Sequence, residues 1–160
     1  VDNDALFDAL ETGVVKRYIT DFGTEDLLNK PNVTVFPHVG GSTGEAELNC
    51  AIMAGQTIRR FMETGEIVNS VNFPRVQQAL SAPYRITLIN KNVPNIVARI
   101  STAVSDFNIN IDNIINRSKG DYAYTLLDLD ETDKEKIDEL VAKFEASDNI
   151  VRVRLIKGKK

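Results

Sequence analysis

The single histidine of this 160-residue chain, His38, lies in the run Pro37-His38-Val39-Gly40-Gly41-Ser42. Imidazole exchanges protons near neutral pH, which makes His38 the natural candidate for acid–base chemistry. Taken alone, a lone histidine after a proline is more often structural. Three asparagines in the second half, Asn90, Asn92 and Asn110, carry amides that donate and accept hydrogen bonds at once. Such residues also cap turns and helix ends without binding anything. Metal chemistry is not indicated, because the one histidine and the one cysteine, Cys50, stand far apart with no ligand spacing. A single cysteine permits no internal disulfide and points to a reducing compartment. Cys50 falls beside Ala51 and Ala54 in an apolar-periodic helix, where it is expected to pack.

Composition narrows the classes further. Hydrophobic residues make up 42% and charged residues 26%, which is ordinary globular material. A net charge of -4 and a pI near 5.1 argue against a nucleic-acid partner. So does the lack of clustered aromatic residues in a basic surround. The local basic run, Lys157-Gly158-Lys159-Lys160, is expected to be a solvated, frayed end. No apolar run approaches the ~20 residues of a membrane span, and no signal peptide is visible, so a cytoplasmic location is expected. The chain opens on Val1-Asp2-Asn3-Asp4 with no initiator methionine, which leads us to expect a fragment.

Two unlike halves must position these residues. In the first, Asp2 or Asn3 caps a helix over residues 4–12 that stops at Gly13. Strands are expected over 14–20 and 33–36, then a long helix over 43–64 ending at Gly65. Ala51, Ile58 and Met62, with Ala54 and Phe61, recur at helical spacing along one face. This half is a piece of an α/β fold, and the rest of its sheet is expected elsewhere. Residues 66–82, with Asn69, Asn72 and Pro74, look like a linker.

The second half reads as strand 84–89, helix 94–107, strand 109–118, turn at Gly120-Asp121, strand 122–130, helix 132–147 and strand 150–156. Val97, Ile100, Val104 and Phe107 are the expected inner face of its first helix. Ile137, Leu140, Val141 and Phe144 are that of the second, whose charged residues from Lys134 to Glu139 face solvent. The order βαββαβ is the ferredoxin-like arrangement, an α+β unit with a four-stranded antiparallel sheet and both helices on one face. Many activities share that fold.

The first half resembles the C-terminal end of the Rossmann-type nucleotide-binding domain of D-2-hydroxyacid dehydrogenases. The resemblance rests on Ala5-Leu6, Ala9-Leu10, Thr24-Glu25 and above all Pro37-His38-Val39-Gly40-Gly41-Ser42-Thr43 with Glu45-Ala46. Val71-Asn72-Phe73-Pro74 is similar to the linker after this helix in phosphoglycerate dehydrogenases. Residues 83–157 look like an ACT domain, and that order narrows the resemblance to D-3-phosphoglycerate dehydrogenases. The implied division is 1–74 for the end of the catalytic core, 75–82 for the linker and 83–157 for the regulatory domain.

The resemblance implies roles residue by residue. His38 matches the acid/base histidine that exchanges a proton with the substrate hydroxyl while hydride passes to or from NAD. Glu25 matches the carboxylate that orients it. The family's aspartate near the nicotinamide aligns with Thr20, and Asp21 one place later is the candidate cofactor contact. The substrate-binding arginine, the glycine-rich phosphate loop and the ribose-binding acid would lie before Val1, so this chain alone is expected to be inactive on 3-phosphoglycerate. Asn90, Asn92 and Asn110 fall on positions that bind L-serine, the end product of the pathway. This chain has Asn90 where many relatives have histidine and Asn95 where they have glycine. ACT domains of this kind pair edge to edge, which implies a homodimer here and a larger assembly in the whole enzyme. Two other readings stand beside this one: a non-catalytic amino-acid-binding or oligomerisation module, and another 2-hydroxyacid dehydrogenase with an ACT tail.

Overall fold

A computed structural model describes residues 1–158; Lys159 and Lys160 of the basic run lie outside the described residues. The chain forms two compact units, Val1–Ile52 and Met53–Lys160. In the first, helix α1 spans Asn3–Glu11, and Asp2 caps it by accepting from the Ala5 N–H at 3.0 Å. Gly13 follows in the left-handed region, where a residue without Cβ is at ease. Strand β1 covers Tyr18–Thr20 and pairs in parallel with β2, Val33–Val35. The expected strand over 14–20 is thus cut to its last three residues. The β-branched pair Val14-Val15 belongs instead to the helix exit, where the Val15 N–H donates to the Ala9 carbonyl. Leu6 and Leu27 are the buried residues here.

Helix α2 runs Gly44–Thr64 and passes from the first unit into the second. Thr43 caps it by accepting from the Ala46 N–H at 3.1 Å. Its expected apolar face exists, yet no residue of α2 is buried, and Leu48, Ile52, Ile58 and Met62 are exposed. Cys50 is exposed as well, contrary to its expected packing role.

The second unit is the βαββαβ fold: β3 Tyr84–Lys91, α3 Ile96–Ser105, β4 Asn110–Lys119, β5 Tyr122–Asp130, α4 Lys134–Glu145 and β6 Ile150–Lys157. The strands form one antiparallel sheet in the order β4-β5-β3-β6. Ile86 and Leu88 of β3 and Leu127 and Leu129 of β5 meet Ile100 and Val104 of α3 and Ile137, Leu140 and Phe144 of α4. The inner position of α3 is Ile96, while Val97 is exposed, so the i, i+4, i+8 row and not the i, i+3, i+7 row meets the sheet. β6 runs through Lys157, and the Gly158 N–H donates to the Pro83 carbonyl at 2.9 Å, so the chain is ordered up to that point rather than frayed.

The opposite face of the sheet is also covered. Residues 66–82 do not form a free linker: Ile67 bridges Val76, and both are buried with Tyr124 and Leu126. On this face Arg85 and Asp128, direct cross-strand neighbours, form an ion pair at 2.5 Å with both side chains 0% exposed. The remaining Arg85 N–H groups donate to the carbonyls of Thr64 and Gln78 at 2.8 Å and of Ala79 at 3.0 Å. Tyr124 donates its hydroxyl to the Gly65 carbonyl at 2.6 Å, and Arg154 donates to the carbonyls of Phe61 and Met62. Gly65 has φ +71, and a Cβ there would lie 2.5 Å from the Thr87 methyl, so both conformation and space require glycine.

Removing one partner of the buried pair leaves an uncompensated charge. Asp128→Ala should therefore cost about 3–5 kcal/mol in urea unfolding, and the double change Arg85→Met with Asp128→Leu should cost less than that single change. Burial pushes the Tyr124 phenol above its ordinary value of 10.0. The folded state therefore favours the neutral phenol, and its stabilisation is intact below pH 10.0 and lost as pH rises through the folded value. The stability gap between wild type and Tyr124→Phe should be constant up to that pH and narrow above it.

Candidate functional site

Parallel pairing of β1 and β2 brings their carboxyl ends to one edge, where ligands of α/β sheets are received. Asp21 follows β1 and Pro37-His38 follows β2. The Phe36 N–H donates to the Thr20 carbonyl at 3.1 Å, and the Phe22 N–H donates to Thr20 Oγ1 at 3.0 Å, which shapes the turn that carries Asp21. A Cβ on Gly23 would strike Val35, so this turn passes close over β2.

The result is a carboxylate–imidazole pair: His38 Nδ1 lies 2.7 Å from Asp21 Oδ2. The Phe22 ring stands 4.5 Å from the imidazole, tilted by 48°. The histidine side chain is 59% exposed, so the imidazole is held at the surface and not sealed in a core. A carboxylate on Nδ1 fixes the tautomer and leaves Nε2 as the acceptor, the requirement for a histidine that takes a proton there. Glu25 sits in a 3₁₀ turn over Glu25–Leu27, anchored by buried Leu27, and its backbone carbonyl accepts from the Leu28 N–H. Among the described residues no ion pair joins Glu25 to His38. The structure therefore brings together His38 and Asp21, and leaves Glu25 apart.

For a dinucleotide, the residues present offer the carboxyl edge of β1 and β2 with Asp21 and His38. The sequence contains no Gly-x-Gly-x-x-Gly run to cradle its phosphates. Among the described residues no cluster of three metal-ligating side chains occurs, and no helix is long and apolar enough to cross a membrane.

The second cluster lies where β3 leads into α3. Asn95 caps α3 in the left-handed conformation, φ 64, with no side-chain cap bond. The first helical backbone bond is from Arg99 N–H to the Asn95 carbonyl, and the Ile96 N–H reaches Val93. The N–H groups of Val97 and Ala98 have no backbone acceptor among the described residues, so α3 presents donors at its positive end. Asn92 ties this loop to the β4–β5 turn, donating from Nδ2 to the Gly120 carbonyl at 3.0 Å and from its backbone to Asp121 at 2.8 Å. Asn90 is 0% exposed, and both ends of its amide are engaged, by Thr125 and by the Lys91 carbonyl.

Asn110 is not with them. It opens β4 opposite Asp130, whereas Asn90 lies opposite Ala123, so the two sites are roughly 23 Å apart along the sheet at about 3.3 Å per residue. Sequence reasoning missed Arg85, Asp128, Thr125 and Asn116. Arg85 and Asp128 were visible as charges within otherwise apolar strands, but their pairing, and that of Thr125 with Asn116, depends on strand register.

No protein-family model matches this chain. It is 30% identical to D-3-phosphoglycerate dehydrogenase 2 of Saccharomyces cerevisiae over 139 residues, covering 83% of this chain and 29% of that protein. It is 26% identical to the D-3-phosphoglycerate dehydrogenase of Escherichia coli, covering 98% of this chain and 40% of that one. Over most of its length the chain is similar to D-3-phosphoglycerate dehydrogenases. It spans between 29% and 40% of the length of these two relatives. Among solved structures, the ACT domain from the GTP pyrophosphokinase of Chlorobium tepidum aligns with 46% of this chain and 95% of its own, with a TM-score of 0.42 and 18% identity. The second unit has the ferredoxin-like strand order β4-β5-β3-β6.

Proposed function

We propose that this chain is the C-terminal part of an NAD-dependent D-3-phosphoglycerate dehydrogenase, which converts 3-phosphoglycerate to 3-phosphohydroxypyruvate at the first step of L-serine biosynthesis in the cytoplasm. The observation that carries the reading is the carboxylate–imidazole pair at the edge of a parallel strand pair, followed in the same chain by a ferredoxin-like regulatory fold. Functionally, residues 1–74 close the catalytic core, 75–82 link, and 83–157 regulate. The compact units divide earlier, after Ile52, because the end of α2 and residues 66–79 pack on the sheet.

NAD supplies the hydride acceptor. His38 Nε2 receives the proton of the substrate hydroxyl as hydride leaves the same carbon, and its Nδ1 carboxylate stabilises the resulting imidazolium. Asp21 holds Nδ1 in this chain. The resemblance gives that duty to Glu25 and places Asp21 beside the cofactor. In the whole enzyme, His38→Asn should lower kcat by a factor on the order of 10²–10⁴. Of Asp21→Asn and Glu25→Gln, the one that flattens the pH profile of kcat is the orienting carboxylate. An active His38→Asn enzyme would remove His38 from the chemistry.

In the regulatory half, the donors of α3 suit the carboxylate of a free amino acid, and asparagine amides suit its ammonium and hydroxyl groups. L-serine is the effector this reading assigns, at Asn92 and Asn110, with Asn90 behind them because its amide is engaged at both ends. The distance between Asn92 and Asn110 within one chain is resolved by pairing. β4 is an edge strand, and antiparallel pairing with a second copy centred on Ile114 and Ile115 sets Asn110 of one copy beside Lys119 of the other. That end of the partner carries its Asn92, so each site is built from two copies. Calorimetric titration of the chain should give saturable binding of L-serine but not of D-serine, and sedimentation should give a homodimer. A monomer that binds serine, or a dimer that does not, would break this reading.

A further inference from the structure

The helix-side face of the sheet is apolar along β3 and β5 except for one hydrogen-bonded line. Asn116 Nδ2 donates to Thr125 Oγ1 at 2.7 Å, and Thr125 Oγ1 lies 2.8 Å from Asn90 Oδ1. Asn90 Nδ2 in turn donates to the Lys91 carbonyl at 3.0 Å. Asn90 Oδ1 can only accept, so the single Thr125 proton must point to it, and Asn116 must supply an N–H to the hydroxyl oxygen. The line therefore has one polarity from end to end. Thr125 and Asn90 are both 0% exposed and alternate with Leu127, Leu88 and Ile86 of the core.

Burying polar groups here gains little stability, since apolar side chains of similar volume would serve as well. What the line supplies is position. It starts on the edge strand β4, crosses β5 and ends at the carbonyl that begins the loop 91–95. That loop carries Asn92 and Asn95 and leads directly to the free N–H groups of α3.

We propose that Thr125 and Asn116 are positioning residues of the amino-acid site, holding the β3–α3 loop in its binding conformation and tying it to the edge strand where a second copy pairs. This rests on the reading that the start of α3 receives an amino acid. Asn90, with its amide committed at both ends, acts through the loop: it orients the Lys91 carbonyl, and Asn92 and the α3 N–H groups meet the ligand. Because the same line reaches β4, the loop and the pairing edge move together, so occupancy of the site and association of two copies are linked.

The test is calorimetric titration of the 160-residue chain with L-serine, with thermal unfolding and sedimentation on the same samples. Thr125→Val and Asn116→Leu should each weaken serine about tenfold, the equivalent of one hydrogen bond, and Thr125→Ser should stay within about twofold of wild type. Leu126→Ala, a destabilising change on the opposite face, should leave serine affinity unchanged. Should Thr125→Val fail to fold, Asn116→Leu, on the partly exposed edge strand, carries the comparison. Wild-type affinity in Asn116→Leu and Thr125→Val overturns the proposal, as does an equal loss in Leu126→Ala. A wild-type chain that binds no serine instead removes the underlying reading, and is recognised before any variant is compared.

Discussion

The carbonyl groups of the last turn of α2 have no partners within their own helix, and a helix end against a sheet cannot rely on water to satisfy them. In this chain the sheet supplies the donors. Arg85 reaches the Thr64 carbonyl, Tyr124 that of Gly65, and Arg154 those of Phe61 and Met62. The burial of Arg85 is tolerable because Asp128 opposes it across the strands and every remaining N–H direction meets a carbonyl. This constraint sets the shape of the second unit. The sheet face away from α3 and α4 is closed by the end of α2 and by residues 66–79, and glycine is required at 65 so that the backbone can come close enough.

Strand direction imposes a second constraint, on the first unit. Two parallel strands end at the same edge, so the residues that follow β1 and β2 are neighbours although His38 stands 17 positions after Asp21 in the sequence. An antiparallel pair would have sent Asp21 and His38 to opposite ends. Thr20 and Gly23 then tighten the turn that presents Asp21, and the carboxylate–imidazole contact follows from backbone geometry rather than from any local sequence signal.

The elements were largely legible where periodicity was strong. β5 matches its expected bounds, α2 starts one residue late, and the βαββαβ order is as read. The failures have physical causes. Val14-Val15 looked like a strand but serves a helix exit, because propensity yields to an open backbone acceptor on Ala9. Residues 66–82 looked like a linker because their apolar residues, Ile67 and Val76, are too widely spaced to show a period. Their burial comes from a bridge between them. The position of His38 could be read from the sequence, but its neighbour in the fold could not, since Asp21 and Glu25 are both acidic residues upstream and it is Asp21 that the turn after β1 brings within 2.7 Å. The asparagines were visible as polar groups; that Asn90 faces inward and Asn110 lies at the far end of the sheet depends on strand register.

Register also explains why one copy is an incomplete amino-acid site on the proposed reading. Asn90, which opens the loop carrying Asn92, and Asn110 occupy opposite ends of the same sheet, and no side-chain rotation closes a gap of about 23 Å. A two-fold axis across β4 closes it without any change in either copy, since antiparallel self-pairing exchanges the two ends. The ligand then binds the pair and not the separate chains, and by linkage it must favour association by as much as association favours the ligand. The buried polar line from β4 to the β3–α3 loop is placed where such a linkage has to pass. A uniformly apolar face would hold the helices just as firmly, but it would leave the loop free to move independently of the edge.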